Sequence, residues 1–306
     1  MPIVPVREML CDAARRRYAV GYFECWDLES LLAAADAARE MDSPVLLGFS
    51  GIYLPHPERI SHDPLEAYAA MGLAVCKDLP VQSNLVFNES AEENWVKEAI
   101  RCGFGQVMFT DERLEHEQLV GKVRGIAEFA HRNGTAVEGE LASVPGLAGS
   151  LQETPDDFRL TDPLAAKQFT ETTGIDALAI NIGQAHLHGR RKMTLDFERL
   201  AELKRVVNIP LVLHGASSIN RSDLRKAVRL GVSKVNVGSS LKQAFFGGMR
   251  RAIQDVGEAY NPYEVIGSGL SQDILMAGRL AMKLVVKEYL ELIGSAGKAK
   301  PTRREN

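Results

Sequence analysis

Residues 210–237, PLVLHGASSINRSDLRKAVRLGVSKVNV, decide how the chain is read. The stretch opens on an apolar run, 210–214, crosses the small and polar residues Gly215 to Asn220, and enters a helical pattern over 221–230. Gly231 follows that helix, and a second apolar run occupies 234–237. Apolar runs without strict alternation mark strands buried on both faces, and a helix between two of them makes a parallel pair. A glycine just past the helix supplies the positive φ that helix C-termini commonly need.

The same unit recurs on either side. Further apolar runs lie at 18–23, 44–49, 80–87, 106–109, 135–140 and 177–181, and helical patterns at 28–41, 91–101, 118–133, 163–173 and 197–206. Asn133-Gly134 and Gly174 again fall between helix and strand, while Ser90 and Asp162, the latter ahead of Pro163, stand where N-caps are expected. Eight strand–helix pairs close a barrel. The fold class is therefore α/β, a single (β/α)8 TIM barrel with an extra helix over 271–292. A doubly wound open sheet would want a glycine-rich phosphate turn after its first strand, and FECWDLES (23–30) is not one. No internal linker is visible, so residues 1–292 form one domain and 293–306 a polar, mobile tail.

The chain has 306 residues, 45% hydrophobic and 25% charged, enough to bury a core without disulfides or metal staples. A net charge of −4 argues against nucleic acid or anionic membrane as partner, since both need a basic surface. The one basic run, Lys298 to Arg304, lies in the tail. Four cysteines at 11, 25, 76 and 102 show no CxxC pairing, and neither an export signal nor a long apolar run is present. Reduced thiols and a cytoplasmic location are expected.

Catalytic groups of such a barrel gather at the C-terminal ends of its strands. Here these ends carry Glu24, Ser50, Asn88, Glu89, Thr110, Asp111, Glu138, Glu140, Asn181, His186, His214 and Asn236. A lone histidine at a strand end is more often a satisfied structural group than a ligand. His186, in the loop after strand six, lies beside the strand that ends at His214, and two converging imidazoles bring the metal reading level with the structural one. Gly183, Gly215, Ser217, Gly238 and Ser239 make small-residue turns after strands six, seven and eight. These either hold a phosphate on backbone N–H groups or are plain turn chemistry.

Several segments go further. GIDALAINIGQAH (174–186), EAIRCGFGQVM (98–108), FAHRNGTAVEGEL (129–141), the 209–245 stretch and ELIGSAGKA (291–299) resemble the class II, metal-dependent fructose- and tagatose-bisphosphate aldolases, nearly end to end. In that family a zinc ion on three histidines polarises a ketose carbonyl and stabilises an enediolate, and an aspartate moves the proton where the C–C bond breaks. The resemblance implies that His186 and His214 are metal ligands. The family's H-L-D-H after strand three is absent. Counting back from GFGQVM puts Asn88 at the aspartate position and Glu89 at the third histidine; counting forward from Pro80 gives Asn84 to Phe87 instead. The first register keeps the next helix intact, and it makes Glu89, His186 and His214 the metal set, with His188 a substitute.

Other positions also depart from the family. Glu24 replaces a substrate-binding asparagine, Thr110 an aspartate, Leu187 a glycine and Gly238 an aspartate. Since Asn88 cannot carry a proton, Glu24 is the first candidate for proton transfer and Glu140 the second. Ser50, Gly183, Gly215, Ser217, Asn236, Gly238 and Ser239 are expected around the substrate and its phosphate, with Arg190, Arg191 or Lys192 compensating for Leu187. The function implied is a divergent aldehyde-lyase acting on a sugar phosphate or related polyol. It would use zinc, or manganese, cobalt or iron, and work poorly on fructose 1,6-bisphosphate. An isomerase or epimerase using the same enediolate, or a non-catalytic binding subunit, are the alternatives. The family also implies a homodimer or higher homo-oligomer.

Overall fold

The computed structural model describes residues 3–141, 159–185 and 192–299. Its strands are β1 (Val20–Cys25), β2 (Val45–Ser50), β3 (Ser83–Ser90), β4 (Gln106–Phe109), β5 (Ala136–Glu140), β6 (Ala177–Ile180), β7 (Leu211–Leu213) and β8 (Val232–Val237). All run parallel, each bonded to the next and β8 back to β1, in one closed barrel. The helices are α1 (Val6–Arg16), α2 (Leu28–Glu40), α3 (Leu65–Asp78), α4 (Glu93–Arg101), α5 (His116–Arg132), α6 (Pro163–Thr173), α7 (Phe197–Val206), α8 (Arg221–Arg229), α9 (Ser239–Asp255), α10 (Pro262–Val265) and α11 (Ile274–Leu292).

Every residue of the strands is buried, which is why they read as continuous apolar runs. Alternate residues serve two cores. Val20, Tyr22, Leu46, Val86, Met108, Ala136, Ala177, Ala179 and Val212 fill the barrel, closed from below by Val6, Met9, Leu10 and Ala13 of α1. Phe23, Leu47, Phe49, Leu85 and Phe87 face outward and pack under the helices. α11 lies over α2, buried through Met282, Val286 and Leu290 and tied by Arg279 to Asp36 and Glu29.

The barrel, its eight strands and the extra helix match the sequence reading. Gly174 takes the left-handed cap with φ 68°, and the Asp162 carboxylate accepts from Ala165 N at 2.9 Å. Three details differ. β1 and β3 sit two or three residues later than the apolar runs, because Tyr18 and Ala19 bond back to Ala13 and Ile293 before β1 starts. Ser90 is not an N-cap; it ends β3, Glu92 takes that place, and Ser90 Oγ accepts from Glu92 N at 3.2 Å. Residues 293–299, expected to begin a mobile tail, are held: Ser295 is buried against Ser43, and Gly297 and Ala299 donate to the carbonyls of Met41 and Asp42. Residues 300–306 lie outside the described ones. No described helix is long and apolar enough to cross a membrane.

Gly48 shows how tightly the barrel closes. A Cβ there would overlap the Val86 carbonyl oxygen on the neighbouring strand and lie 2.9 Å from the Tyr22 ring. Backbone cannot swing aside as a side-chain tip can. Gly48→Ala is therefore expected to cost about 1–3 kcal/mol or more, measured as a lower denaturant midpoint; an unchanged midpoint would contradict this packing.

Candidate active site

β3 sets the geometry of the mouth. Between Phe87 and Ser90 it advances three residues while β4, from Val107 to Phe109, advances two, and Glu89 takes up the excess in the left-handed region at φ 52°. A positive φ on a glutamate is sparsely populated, and such strain concentrates at functional sites. The bulge lets Asn88 and Glu89 both reach the mouth, with Asn88 level with Ser50 of β2. Asn84 lies at the opposite end, donating to Val4 O at 2.7 Å.

His214, 1% exposed, stands at the end of β7 between two carboxylates. Nδ1 is 2.8 Å from Glu89 Oε1 and Nε2 is 2.6 Å from Glu138 Oε1. The second oxygen of Glu138 accepts from Lys234 Nζ at 2.6 Å, and both of these residues are fully buried. Burial alone would lower the histidine pKa, but Glu89 and Glu138 outweigh it and push it up to about 10. Burial likewise works against the charge on Glu138, yet Lys234 and His214 hold its pKa below the usual carboxylate range. Two anions and two cations thus balance inside the barrel.

The neighbouring amides are ordered by that charge. A carboxylate only accepts, so Asn88 turns Nδ2 to Glu89 Oε2 (3.0 Å), and Asn88 Oδ1 then accepts from Asn236 Nδ2 at 3.2 Å. Asn236 Nδ2 also lies 2.9 Å from His214 Nε2. Two N–H groups cannot donate to each other, so the ring proton belongs to Glu138 and the amide to Asn88.

One layer higher, Glu24 on β1 faces Gly238 at the end of β8. Its Oε2 lies 2.7 Å from where a Cβ on residue 238 would be, so a side chain there would have to displace this carboxylate. Glu24 Oε1 is 2.8 Å from Lys242 Nζ, an ion pair without hydrogen-bond alignment, and that ammonium sits over the rings of Trp26 and Tyr53. Beside them Gly215 turns at φ 64°, Ser217 Oγ meets Ser240 Oγ at 3.1 Å, and α9 begins at Ser239 with its N-terminus toward the cleft. Lys192 Nζ reaches Ser217 O at 2.6 Å.

A cleft of about 440 Å³, counting its open mouth, gathers Glu24, Asn88, Glu89, His214, Gly215, Ser217, Asn236, Gly238 and Ser239. Ser50, Gly183 and Glu140 do not line it. Ser50 Oγ accepts from Ile52 N, Gly183 is wedged against Thr194 O, and Glu140 Oε2 accepts from Thr110 Oγ1 at 3.4 Å. His186, Leu187, His188, Arg190 and Arg191 lie outside the described residues. The sequence reading missed Lys234, Lys242 and Tyr22. Lys234 carried a signal: it shares the inward face of β8 with Asn236, and a lysine there requires a buried acid.

The donor set fits a divalent metal. A carboxylate anchoring one ring nitrogen, as Glu138 does, is how ligand histidines are oriented, and the other nitrogen meets a second oxygen donor, Glu89. At 2.8 Å that pair shares a proton, whereas two ligands of one tetrahedral zinc lie about 3.3 Å apart. A metal would replace the proton and part the pair slightly. Among the described residues, the one group of three ligand-type side chains within mutual reach is Glu66, Glu98 and Cys102, on the outer helices α3 and α4.

Lys234→Met leaves Glu138 with one buried cation fewer and is expected to cost about 3–5 kcal/mol, read by chemical denaturation. Gly238→Asp sets a second carboxylate against Glu24 and is expected to destabilise, while Glu24→Asn added to it recovers about 0.5–3 kcal/mol of coupling. Additive effects would show that the two positions do not share one space.

Comparison with known proteins places this mouth in context. A family model for class-II fructose-bisphosphate aldolase matches residues 4–298. The crystal structure of the YdjI aldolase from Escherichia coli K12 is similar at 26% identity and a TM-score of 0.81, covering 97% of this chain and 100% of that one. The fructose-bisphosphate aldolase of Campylobacter jejuni shares the fold, with 19% identity, a TM-score of 0.77 and 97% of both chains covered. With nearly its whole length matched, the chain belongs to the class II fructose-bisphosphate aldolase family, whose members are generally dependent on a divalent metal.

Proposed function

We propose that the protein is an aldehyde-lyase that makes or breaks a C–C bond next to a ketose carbonyl, through an enediolate, on a sugar phosphate or related polyol. What carries this reading is the histidine held between Glu89 and Glu138 at the barrel mouth, in a chain of this family. Glu89 and His214, with His186, would hold the metal, zinc first and manganese, cobalt or iron as alternatives. When bound, that ion supplies positive charge to polarise the ketose carbonyl.

The chain's own groups divide the remaining work. Asn88 cannot carry a proton; it orients Glu89. Glu24 lines the cleft and Glu140 does not, so Glu24 takes the proton-transfer role, with Lys242 2.8 Å from its Oε1. The turn at Gly215 and Ser217, the start of α9 at Gly238 and Ser239, and Lys192 form the anion end, where N–H dipoles favour negative charge. All four cysteines are free, which suits the reducing cytoplasm. Phe246, Leu280, Leu284 and Tyr263 are exposed on α9, α10 and α11, a face suited to a second copy of the chain.

A binding subunit is the second reading, favoured by one observation: Glu89 already satisfies His214 Nδ1. Elemental analysis after zinc loading separates the two, and product carbon count separates a lyase from an isomerase. Fructose 1,6-bisphosphate cleavage is expected to run about 10²–10⁴-fold below that of an enzyme with an intact acid/base. Asn88→Asp is expected to raise it and Glu24→Gln to abolish what remains. Fast wild-type cleavage indifferent to Glu24→Gln would overturn the assignment.

A further inference from the structure

Tyr22 occupies a place that the proposed chemistry has not used. It lies on β1, level with Asn236 of β8, and both side chains point into the barrel beneath the layer of Glu24 and Gly238. The ring is 1% exposed, and Gly48 clears space for it: a Cβ at 48 would lie 2.9 Å from Tyr22 Cε2. Lys234 Nζ lies 5.1 Å from the ring centroid. Yet the hydroxyl of this cleft-lining residue is buried and has no hydrogen-bond partner. A buried unpaired hydroxyl carries a desolvation cost, so a tyrosine placed where phenylalanine would pack as well needs a reason.

Asn236 presents a matching gap. With its Nδ2 committed to Asn88, its Oδ1 is buried and unpaired beside Tyr22. One unpaired donor and one unpaired acceptor, on neighbouring cleft-lining residues of paired strands, complement a ligand hydroxyl, which accepts from one group and donates to the other.

We propose that Tyr22 is a substrate-contacting residue, its hydroxyl donating to a sugar oxygen of the bound polyol on the cleft floor while Asn236 Oδ1 accepts from that same hydroxyl. This rests on the polyol reading above. It adds that the floor recognises an uncharged oxygen while the anionic end stays at the rim by Ser217 and Ser239. Burial, with Glu24, Glu89 and Glu138 nearby, holds the Tyr22 pKa well above the ordinary phenol value, so the group is a donor at neutral pH.

The test is calorimetric binding, with zinc present, of dihydroxyacetone phosphate and of inorganic phosphate to wild type and Tyr22→Phe. The variant keeps the ring. Affinity for dihydroxyacetone phosphate is expected to fall about three- to tenfold, phosphate affinity to stay unchanged, and the denaturation midpoint to hold or rise because an unpaired hydroxyl is gone. Equal binding of dihydroxyacetone phosphate by both proteins would overturn the role of Tyr22 alone and leave it a core filler. Loss of phosphate binding in parallel would overturn it too, as a general disturbance of the site. Failure of wild type to bind dihydroxyacetone phosphate at all would remove the polyol reading, and the proposal with it.

Discussion

Glu138 has one oxygen on His214 and the other on Lys234, and the mouth of the barrel is built around that shared carboxylate. A carboxylate, an imidazolium or an ammonium carried alone into this interior would each cost several kcal/mol. Together with Glu89 they neutralise one another, and β3, β5, β7 and β8 supply one member each. The set therefore also fixes register. A one-residue slip of β8 would send Lys234 outward into the apolar layer beneath the helices and leave Glu138 half paired. Small residues elsewhere in the interior, Ala136, Ala177 and Ala179, leave volume for the long Lys234 and the Tyr22 ring beside it.

The frame was legible because its rules are periodic and local. Strands buried on both faces have to be apolar runs, and helix ends need glycine or a capping carboxylate, so residues 163–173 and 197–206 read as the helices they are. Asn88 and Glu89 were placed at the mouth by keeping the next helix in step, and the bulge at Glu89 shows how the extra length is absorbed. What could not be read was pairing across the barrel. Glu138 and His214 were visible as a rim acid and a strand-end base, but that one carboxylate would bridge His214 and Lys234 depends on three strands closing together. Ser50, Gly183 and Glu140 have their partners elsewhere among the described residues, which strand height alone could not tell. A strand end fixes height in the barrel, while the side chain's bonding partner decides whether it faces the ligand.

The groups at the mouth also constrain one another. The carboxylate of Glu24 lies 2.7 Å from where a side chain on residue 238 would begin, so the two positions share one space. Glu24 carries its negative charge on the strand facing the start of α9, and Lys242, one turn into α9, pairs with it. A larger side chain at 238 would have to displace that carboxylate and disturb its pairing with Lys242.

The cleft is ordered by charge. Among the described residues both cations of the floor quartet are paired, and the groups there without a partner are the neutral Tyr22 hydroxyl and the Asn236 carbonyl oxygen. At the rim stand the N-terminus of α9, the turn at Ser217 and Lys192, all of positive character, with Glu24 between the two levels. An anion at the floor would face the carboxylates of Glu24 and Glu89, whose cations Lys242 and His214 are already committed to them; at the rim it meets N–H dipoles and an ammonium. An uncharged hydroxyl incurs no such repulsion and finds a donor and an acceptor waiting. On the proposed function, this arrangement would favour a ligand whose uncharged oxygens lie inward and whose phosphate or carboxylate lies outward, because only the rim offers N–H dipoles to an anion.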